Sequence, residues 1–104
     1  MERSTSVELD RYVIDVLMRD LVGHDKKPSA FVVYLFLAVR AEREVRSRVS
    51  CSLSGITNVT GLSKTSVQGA LRHLRMRGLI ASSKTGPTAV PEYRLVRHWR
   101  RRLS

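Results

Sequence analysis

The chain has 104 residues, 42% of them hydrophobic, and a formal net charge of +10. This length suits one domain with a single core. The longest apolar run, residues 30–39, is too short for a membrane-spanning helix, which needs about 20 residues. The N-terminus lacks the pattern of a secretory signal, and the single cysteine, Cys51, excludes an internal disulfide. We therefore expect a cytoplasmic protein that does not span a membrane.

The positive charge is concentrated in the second part of the chain. Residues 1–60 contain nine Lys/Arg and eight Asp/Glu, a net charge of +1, whereas residues 61–104 contain ten Lys/Arg and only Glu92, a net charge of +9. Such an asymmetry indicates an anionic partner, either nucleic acid or a membrane surface. The alternative is a solvated cationic face without a partner.

Two helices are predicted in the first part of the chain. Apolar residues recur at three- and four-residue steps over residues 6–22, which predicts an amphipathic helix that ends near Gly23. A second helix is predicted for residues 29–43, opened by Pro28. Its first ten positions are nearly all apolar, so it needs neighbours on every side.

A short extended segment over residues 46–51 is predicted to precede two further helices. Ser52 is suited to cap the third helix, and Gly61 to end it in a tight turn. Ser63 is suited to cap the fourth helix, and Gly78 to end it. Strands are predicted at residues 79–83 and 93–96, with the Gly86-Pro87 turn and Pro91 between them.

The run LSGITNVTGLSKTSVQGALRHLRMRGLI (residues 53–80) and the later EYRL resemble the core of MarR-like and GntR-like bacterial winged-helix regulators. The resemblance covers residues 28–97. It implies a mainly α fold with a small β-hairpin wing, a winged helix-turn-helix of order α-α-β-α-α-β-β with an added N-terminal helix. It also implies three parts: an N-terminal extension (1–27), a DNA-binding domain (28–97) and a basic tail (98–104).

The fourth helix has two distinct sides. At about 100° per residue, one narrow face is predicted to hold Val67, Ala70, Leu71, Leu74 and Gly78. The opposite face is predicted to hold Thr65, Gly69, Arg72 and Met76, flanked by Lys64, Gln68 and Arg75 on one side and by Ser66, His73 and Arg77 on the other. A solvent-facing glycine inside a helix costs roughly 0.5–1 kcal/mol relative to alanine. Close approach to another body explains Gly69, and a tolerated surface glycine is the alternative.

The outward side chains of this helix suit double-stranded DNA. Gln68 can pair with adenine and Arg72 with guanine in the major groove, and the methyl group of Thr65 can contact thymine. Hydroxyls and backbone N–H groups at the helix start favour phosphate, and the resemblance implies a wing tip that contacts DNA. The complete predicted DNA-binding set is Ser63, Lys64, Thr65, Ser66, Gln68, Gly69, Arg72, Lys84 and Thr85, with Lys84, Thr85 and Gly86 at the wing tip.

The N-terminal helix is predicted to form a homodimer, as related regulators commonly do through added helices. The predicted interface is Leu9, Tyr12, Val13, Val16 and Leu17. Two-fold pairing would place two recognition helices about 34–36 Å apart, or a multiple of it. The alternative is that this helix only covers the core of its own domain.

The C-terminal run RHWRRRLS allows two interpretations. As a disordered tail it adds salt-dependent phosphate affinity. As a short helix it docks Trp99 and Leu103 against the body or a second subunit. We favour docking, because an exposed tryptophan is costly.

The sequence thus predicts a small prokaryotic transcriptional regulator, with a replication or plasmid-maintenance role on the same fold as an alternative. A rival function is a protein-interaction module, in which Met76 and Trp99 form an exposed patch. RNA binding is a third possibility, although the interleaved aromatics of a stacking platform are lacking.

No catalytic or cofactor motif is recognisable, and no enzymatic activity is expected. His24, His73 and His98 lie far apart in the chain without a cysteine pair, so no zinc site is expected. Cys51 is either an oxidant-sensing thiol or a packing residue.

Overall fold

The computed structural model describes residues 6–41 and 48–100, which form a mainly helical protein with a three-stranded antiparallel sheet. This coarse prediction is confirmed. The elements in chain order are an N-terminal helix (residues 11–24), α1 (Pro28–Ala41), β1 (Arg48–Ser50), α2 (Leu53–Thr60), α3 (Lys64–Met76), β2 (Ile80–Ser83), β3 (Glu92–Leu95) and a 3₁₀ turn (His98–Arg100).

Helix α1 occupies the centre of the molecule. It packs against the N-terminal helix, α2, α3, β1 and β3. Its most deeply buried side chains are Ala30, Val33, Tyr34 and Leu37. The expectation of neighbours on every side is only partly met, because Val32 and Val39 remain exposed on one face of the helix. The last two residues of its predicted range lie outside the described residues.

The N-terminal helix begins later than predicted and is wound differently. Residues 6–10 are not helical, and two π-helical segments, Val13–Leu17 and Arg19–His24, form most of the element. The buried side chains Val13, Leu17 and Leu21 recur every four residues. Such a repeat keeps side chains on one side of either helix type, so the sequence pattern did not distinguish them.

The N-terminal caps predicted for α2 and α3 are confirmed. The Ser52 hydroxyl oxygen accepts a hydrogen bond from the Gly55 N–H at 3.0 Å. The Ser63 hydroxyl oxygen accepts one from the Ser66 N–H at 3.1 Å. Each bond satisfies a backbone donor that has no partner within its own helix, which holds the start of each helix in place.

Glycines end both helices, as predicted. Gly61 has φ = 79° after α2, and Gly78 has φ = 72° after α3. Both values lie in the left-handed region that glycine adopts without steric cost. The expected place of Gly78 on the core face is wrong: it is exposed, because the chain leaves the helix after Met76.

The sheet has the order β1-β3-β2. Val49 lies opposite Tyr93 and Ile80 opposite Leu95, and all four side chains are buried. This face of the sheet completes the core. The two strands predicted for the hairpin are confirmed to within one residue at each shifted end. Strand β1 lies within the extended segment predicted at 46–51, of which residues 46 and 47 lie outside the described residues.

The Gly86-Pro87 turn predicted for the β2–β3 hairpin is confirmed, but the residues placed at the wing tip differ from the prediction. The Ala89 N–H donates to the Gly86 carbonyl at 3.1 Å, so the tight turn comprises residues 86–89. Pro87 occupies the second position of this turn, which its fixed φ favours. Lys84 and Thr85 precede the turn. Their predicted place at the tip is therefore wrong, and they lie on the arm that leaves β2.

The two ends of the described chain are joined through Asp10. Its carboxylate accepts hydrogen bonds at 2.7 Å from the Trp99 indole N–H and, through both oxygens, from the Arg100 guanidinium. The Trp99 ring stacks on Tyr12 with ring centroids 4.4 Å apart. The docking predicted for Trp99 is confirmed, onto the chain's own body, while Leu103 lies outside the described residues.

The residues predicted to form a dimer interface face inward. Val13 and Leu17 are each 3% exposed in the chain's own core. Leu9 and Tyr12 are partly buried against that core, and Val16 is half-buried. These positions fit the alternative expectation, in which the residues cover the core of their own domain. Dimerisation itself remains a prediction.

Replacing Asp10 tests the link between the chain ends. We expect Asp10→Asn to lower the free energy of unfolding at pH 6 by about 1 kcal/mol, because hydrogen bonds to a charged group are lost at a partly exposed site. The Arg100 hydrogen bond lowers the pKa of Asp10 from 3.8 to about 2. This stabilisation is therefore present above about pH 4 and is lost as the pH falls towards about 2.

The measurement is urea unfolding of both proteins over this pH range. The control is Glu8→Gln, which removes the same charge from an exposed neighbouring side chain. Equal unfolding midpoints of Asp10→Asn and the unaltered protein at pH 6 would show that the link contributes nothing.

Candidate nucleic-acid interface

Helix α3 presents a polar row to solvent. Lys64, Gln68, Arg72 and Arg75 are exposed and recur at three- and four-residue steps. On the other side of the helix, the apolar residues predicted for the core are confirmed as buried: Val67, Ala70, Leu71 and Leu74. Anchoring by this apolar side fixes which side chains point outward.

The hairpin adds a cation to this row. Arg75, near the end of α3, and Lys84, after β2, line one cavity of about 330 Å³. The rest of the lining is formed by Ser82, Ser83, Pro91 and Tyr93. Burial raises the pKa of the Tyr93 phenol, and the charge of Arg75 opposes this increase. The structure thus brings together Lys84, which was predicted to bind DNA, and Arg75, which was predicted only to flank the outward face.

We refer to Lys64, Gln68, Arg72, Arg75 and Lys84 as the basic face. Among the described residues, none of its four cations forms an ion pair. Glu92, the single acid in residues 61–104, bonds instead to Arg48 at 3.5 Å. Cations without a counter-charge produce a positive potential that attracts anions.

The start of α3 supplies hydroxyl groups beside Lys64. The Ser63 hydroxyl donates to the Ser66 hydroxyl oxygen at 3.1 Å, so its proton is already used within the cap. The Ser66 hydroxyl keeps its own proton for another acceptor. Of the two serines predicted to bind phosphate, Ser66 is therefore the better donor.

Lys64 also borders α2. Together with Ser52, Leu53, Ser54 and Thr57 it lines a cavity of about 350 Å³. The Thr57 hydroxyl donates to the Ser54 carbonyl at 2.9 Å. Lys64 is the charged residue of this lining. The start of α2 thus borders the predicted interface, a contact that was not predicted from the sequence.

The remaining predicted positions are accessible to different degrees. Thr65 and Thr85 are exposed, and Gly69 is half-buried. Within the described residues, a Cβ atom at Gly69 would meet nothing within 4 Å. Packing inside this chain therefore does not require a glycine at this position.

The other flank of α3 is held by Asp25, a residue that the sequence analysis did not single out. One Asp25 oxygen lies 2.7 Å from Nε2 of His73 and accepts a hydrogen bond from Nε of Arg77 at 2.9 Å. The other oxygen lies 2.9 Å from Nδ1 of His24. Hydrogen bonds, led by those from His24 and His73, lower the pKa of Asp25 from 3.8 to about 2.

This cluster separates the cations of α3 into two groups. Arg77 is paired with Asp25 and lies 3.9 Å from Asp20, whereas the cations of the basic face are unpaired within the described chain. The predicted outward position of His73 is only partly right, because its side chain is 13% exposed and turns towards Asp25. No local pattern links Asp25 to residues about 50 positions away.

The exposed patch predicted from Met76 and Trp99 does not form. Met76 is 72% exposed, but Trp99 is half-buried against Tyr12 and bonded to Asp10. The protein-interaction hypothesis therefore loses one of its two anchor residues.

Other kinds of site have little support. His24 and His73 are distant in sequence but both contact Asp25. Among the described residues, no group of three or more His, Cys, Asp or Glu side chains could hold a metal ion. Cys51 is buried, and a Cβ atom at Gly55 would lie 3.0 Å from its sulfur, which favours a packing role. No helix within residues 6–41 or 48–100 has the length and hydrophobicity that a bilayer crossing demands.

Two glycine substitutions test the local geometry of α3. We expect Gly69→Ala to raise the free energy of unfolding by about 0.5–1 kcal/mol, because alanine favours the helix and meets no obstacle. We expect Gly78→Ala to lower it by about 1 kcal/mol, because φ is positive there. Urea unfolding measures both changes. A loss of stability in Gly69→Ala would contradict an open position at residue 69.

Comparison with known proteins adds no assignment. No protein-family model, no curated protein and no solved structure matches this chain. The resemblance to MarR-like and GntR-like regulators gains no support from these comparisons and remains a prediction. A role for the basic face has to be inferred from its own geometry and charge.

Proposed function

We propose that this protein is a winged helix-turn-helix that binds double-stranded DNA, with α3 in the major groove and the β2–β3 hairpin as the wing. The order of α1, β1, α2, α3 and the hairpin supports this fold. The left-handed Gly61 supports the tight turn between the two helices of the motif.

The observation that carries the proposal is the unpaired state of the basic face. Lys64, Arg72, Arg75 and Lys84 have no ion-pair partner within the described chain, whereas Arg77 on the same helix is paired with Asp25. A polyanion can supply the missing counter-charge along the whole row. A surface made only for solubility does not need cations aligned over two elements.

The chemistry of the basic face divides into two roles. Gln68 and Arg72 carry the side chains that bond to adenine and guanine edges, so they read bases. Lys64 borders the start of α2, and Arg75 shares a cavity with Lys84. These three cations contact phosphates on either side of the groove, which positions α3 without reading sequence.

Gly69 lies in the chain between Gln68 and Arg72, the two proposed base-reading residues. A Cβ atom there would be unobstructed by the described chain, so its absence shortens only the distance to an external partner. We propose that Gly69 lets the α3 backbone approach the base edges. The biological role follows the original hypothesis of a small prokaryotic transcriptional regulator, in which a second copy would add a half-site.

Fluorescence anisotropy tests the proposal. The protein is titrated into a labelled random duplex of about 30 base pairs at low salt and again at rising salt. We expect micromolar or tighter binding that weakens steeply with salt, because phosphate contacts release counterions. Absence of binding at low salt would overturn the proposal and would favour a protein partner for the exposed Met76.

Single substitutions separate the two roles. After selection of a preferred sequence, we expect Arg72→Ala to weaken binding by about 1–3 kcal/mol and to relax the preference at one position. Lys84→Ala should weaken binding to all sequences alike and lower the salt slope by about one. Gly69→Ala should weaken binding although it stabilises the fold.

The control is Arg11→Ala, which removes one exposed positive charge from the N-terminal helix. We expect this variant to keep the sequence preference and to lose only a small part of the affinity for DNA, because Arg11 is outside the basic face. Equal effects of Arg11→Ala and Arg72→Ala would mean that net charge alone drives binding, which would contradict the assigned geometry.

A further inference from the structure

The N-terminal helix carries a second apolar row beside the buried one. Ile14, Met18 and Val22 recur every four residues and are 44%, 39% and 39% exposed. Each directly follows a buried residue of the row Val13, Leu17 and Leu21. Single exposed apolar residues are common, but three on consecutive turns form a continuous surface. We refer to Ile14, Met18 and Val22 as the outer stripe.

Opposite charges border the outer stripe. Asp15 and Arg19 are exposed, each follows one residue after a member of the stripe, and they are four residues apart. Neither forms an ion pair with the described residues. A two-fold axis places the acidic side chain of each copy next to the basic side chain of the other, so a rim with one of each is complementary to its own copy.

The sequence outside the described residues is poor in large apolar side chains. Residues 1–5, 42–47 and 101–104 contain only Met1, Val45 and Leu103 as large apolar side chains, one in each segment. Three apolar side chains on one helix need several apolar partners at matching intervals. The helix itself has that spacing, so a second copy of it is a fitting partner.

The charge distribution also favours this location for self-association. Two chains of net charge +10 repel each other. The excess charge lies in residues 61–104, at +9, whereas residues 1–60 carry only +1. The helix that carries the outer stripe has two basic residues, Arg11 and Arg19, and two acidic ones, Asp15 and Asp20, so two copies of this helix repel each other little.

We infer that a second copy of this chain covers the outer stripe, through antiparallel pairing of the two N-terminal helices about a two-fold axis at Met18. This geometry places Ile14 opposite Val22 of the second copy, and the reverse. It also places Asp15 within reach of Arg19 of the second copy, twice per dimer. The interface uses the apolar row next to the one predicted from the sequence, and it does not depend on the proposed binding of DNA.

Cross-linking at the axis tests the inference. Met18→Cys is introduced together with Cys51→Ala, so that the new thiol is the only cysteine of the chain. On a two-fold axis the two thiols meet, and we expect mild oxidation of the 104-residue protein to yield a covalent dimer of twice 11.8 kDa. Val59→Cys in the same background is the control, because Val59 is exposed on α2 instead.

The mass in solution provides the second measurement. We expect sedimentation of the unaltered protein to show a dimer at about 100 μM, because a seam of one helix gives an interface at the small end of the stable range. A protein that sediments at 11.8 kDa up to this concentration would overturn the inference. So would equal cross-linking of the cysteines at positions 18 and 59.

A charge exchange distinguishes pairing from loss of folding. Asp15→Arg alone places like charges opposite each other twice, and we expect about tenfold weaker association. Adding Arg19→Asp restores opposite charges and should restore the dimer. A double variant that stays as weak as Asp15→Arg would contradict this register. DNA binding by a monomeric variant would leave the proposed function intact while removing the dimer.

Discussion

The structure depends first on the lack of a polar side on helix α1. Eight of the fourteen residues of α1 are buried, and the N-terminal helix, α2, α3 and two strands of the sheet pack around them. Helix α3 therefore has one side committed to α1 and one side free. The outward direction of the basic face is a consequence of this packing and not of the helix alone.

Two carboxylates from residues 1–60 bind side chains of the basic segment, residues 61–104. Asp10 binds Trp99 and Arg100, and Asp25 binds His73 and Arg77. Both lie near the ends of the N-terminal helix, so they attach this helix to distant segments. The same contacts neutralise cations at the edges of the molecule. The cations of the basic face are left without such partners in the described chain, so their charge is available to an external anion.

Local signals in the sequence were sufficient for the elements that carry the candidate interface. Ser52 and Ser63 act as caps and Gly61 ends α2, because capping depends on residues only three or four positions apart. The two sides of α3 also followed from periodicity. The Gly86-Pro87 turn also followed from composition, whereas Lys84 and Thr85 were placed at the tip although they precede this turn.

The sequence by itself determined the mainly helical architecture, the caps and the outward row of α3, since each follows from the order and spacing of neighbouring residues. Only the tertiary structure decided which of two apolar rows of the N-terminal helix is buried, and that Asp25 meets His73 and Arg77. Both rows have the same four-residue period, and both contacts join segments about 50 residues apart. Their outcome depends on how α1 is surrounded, which no local pattern contains.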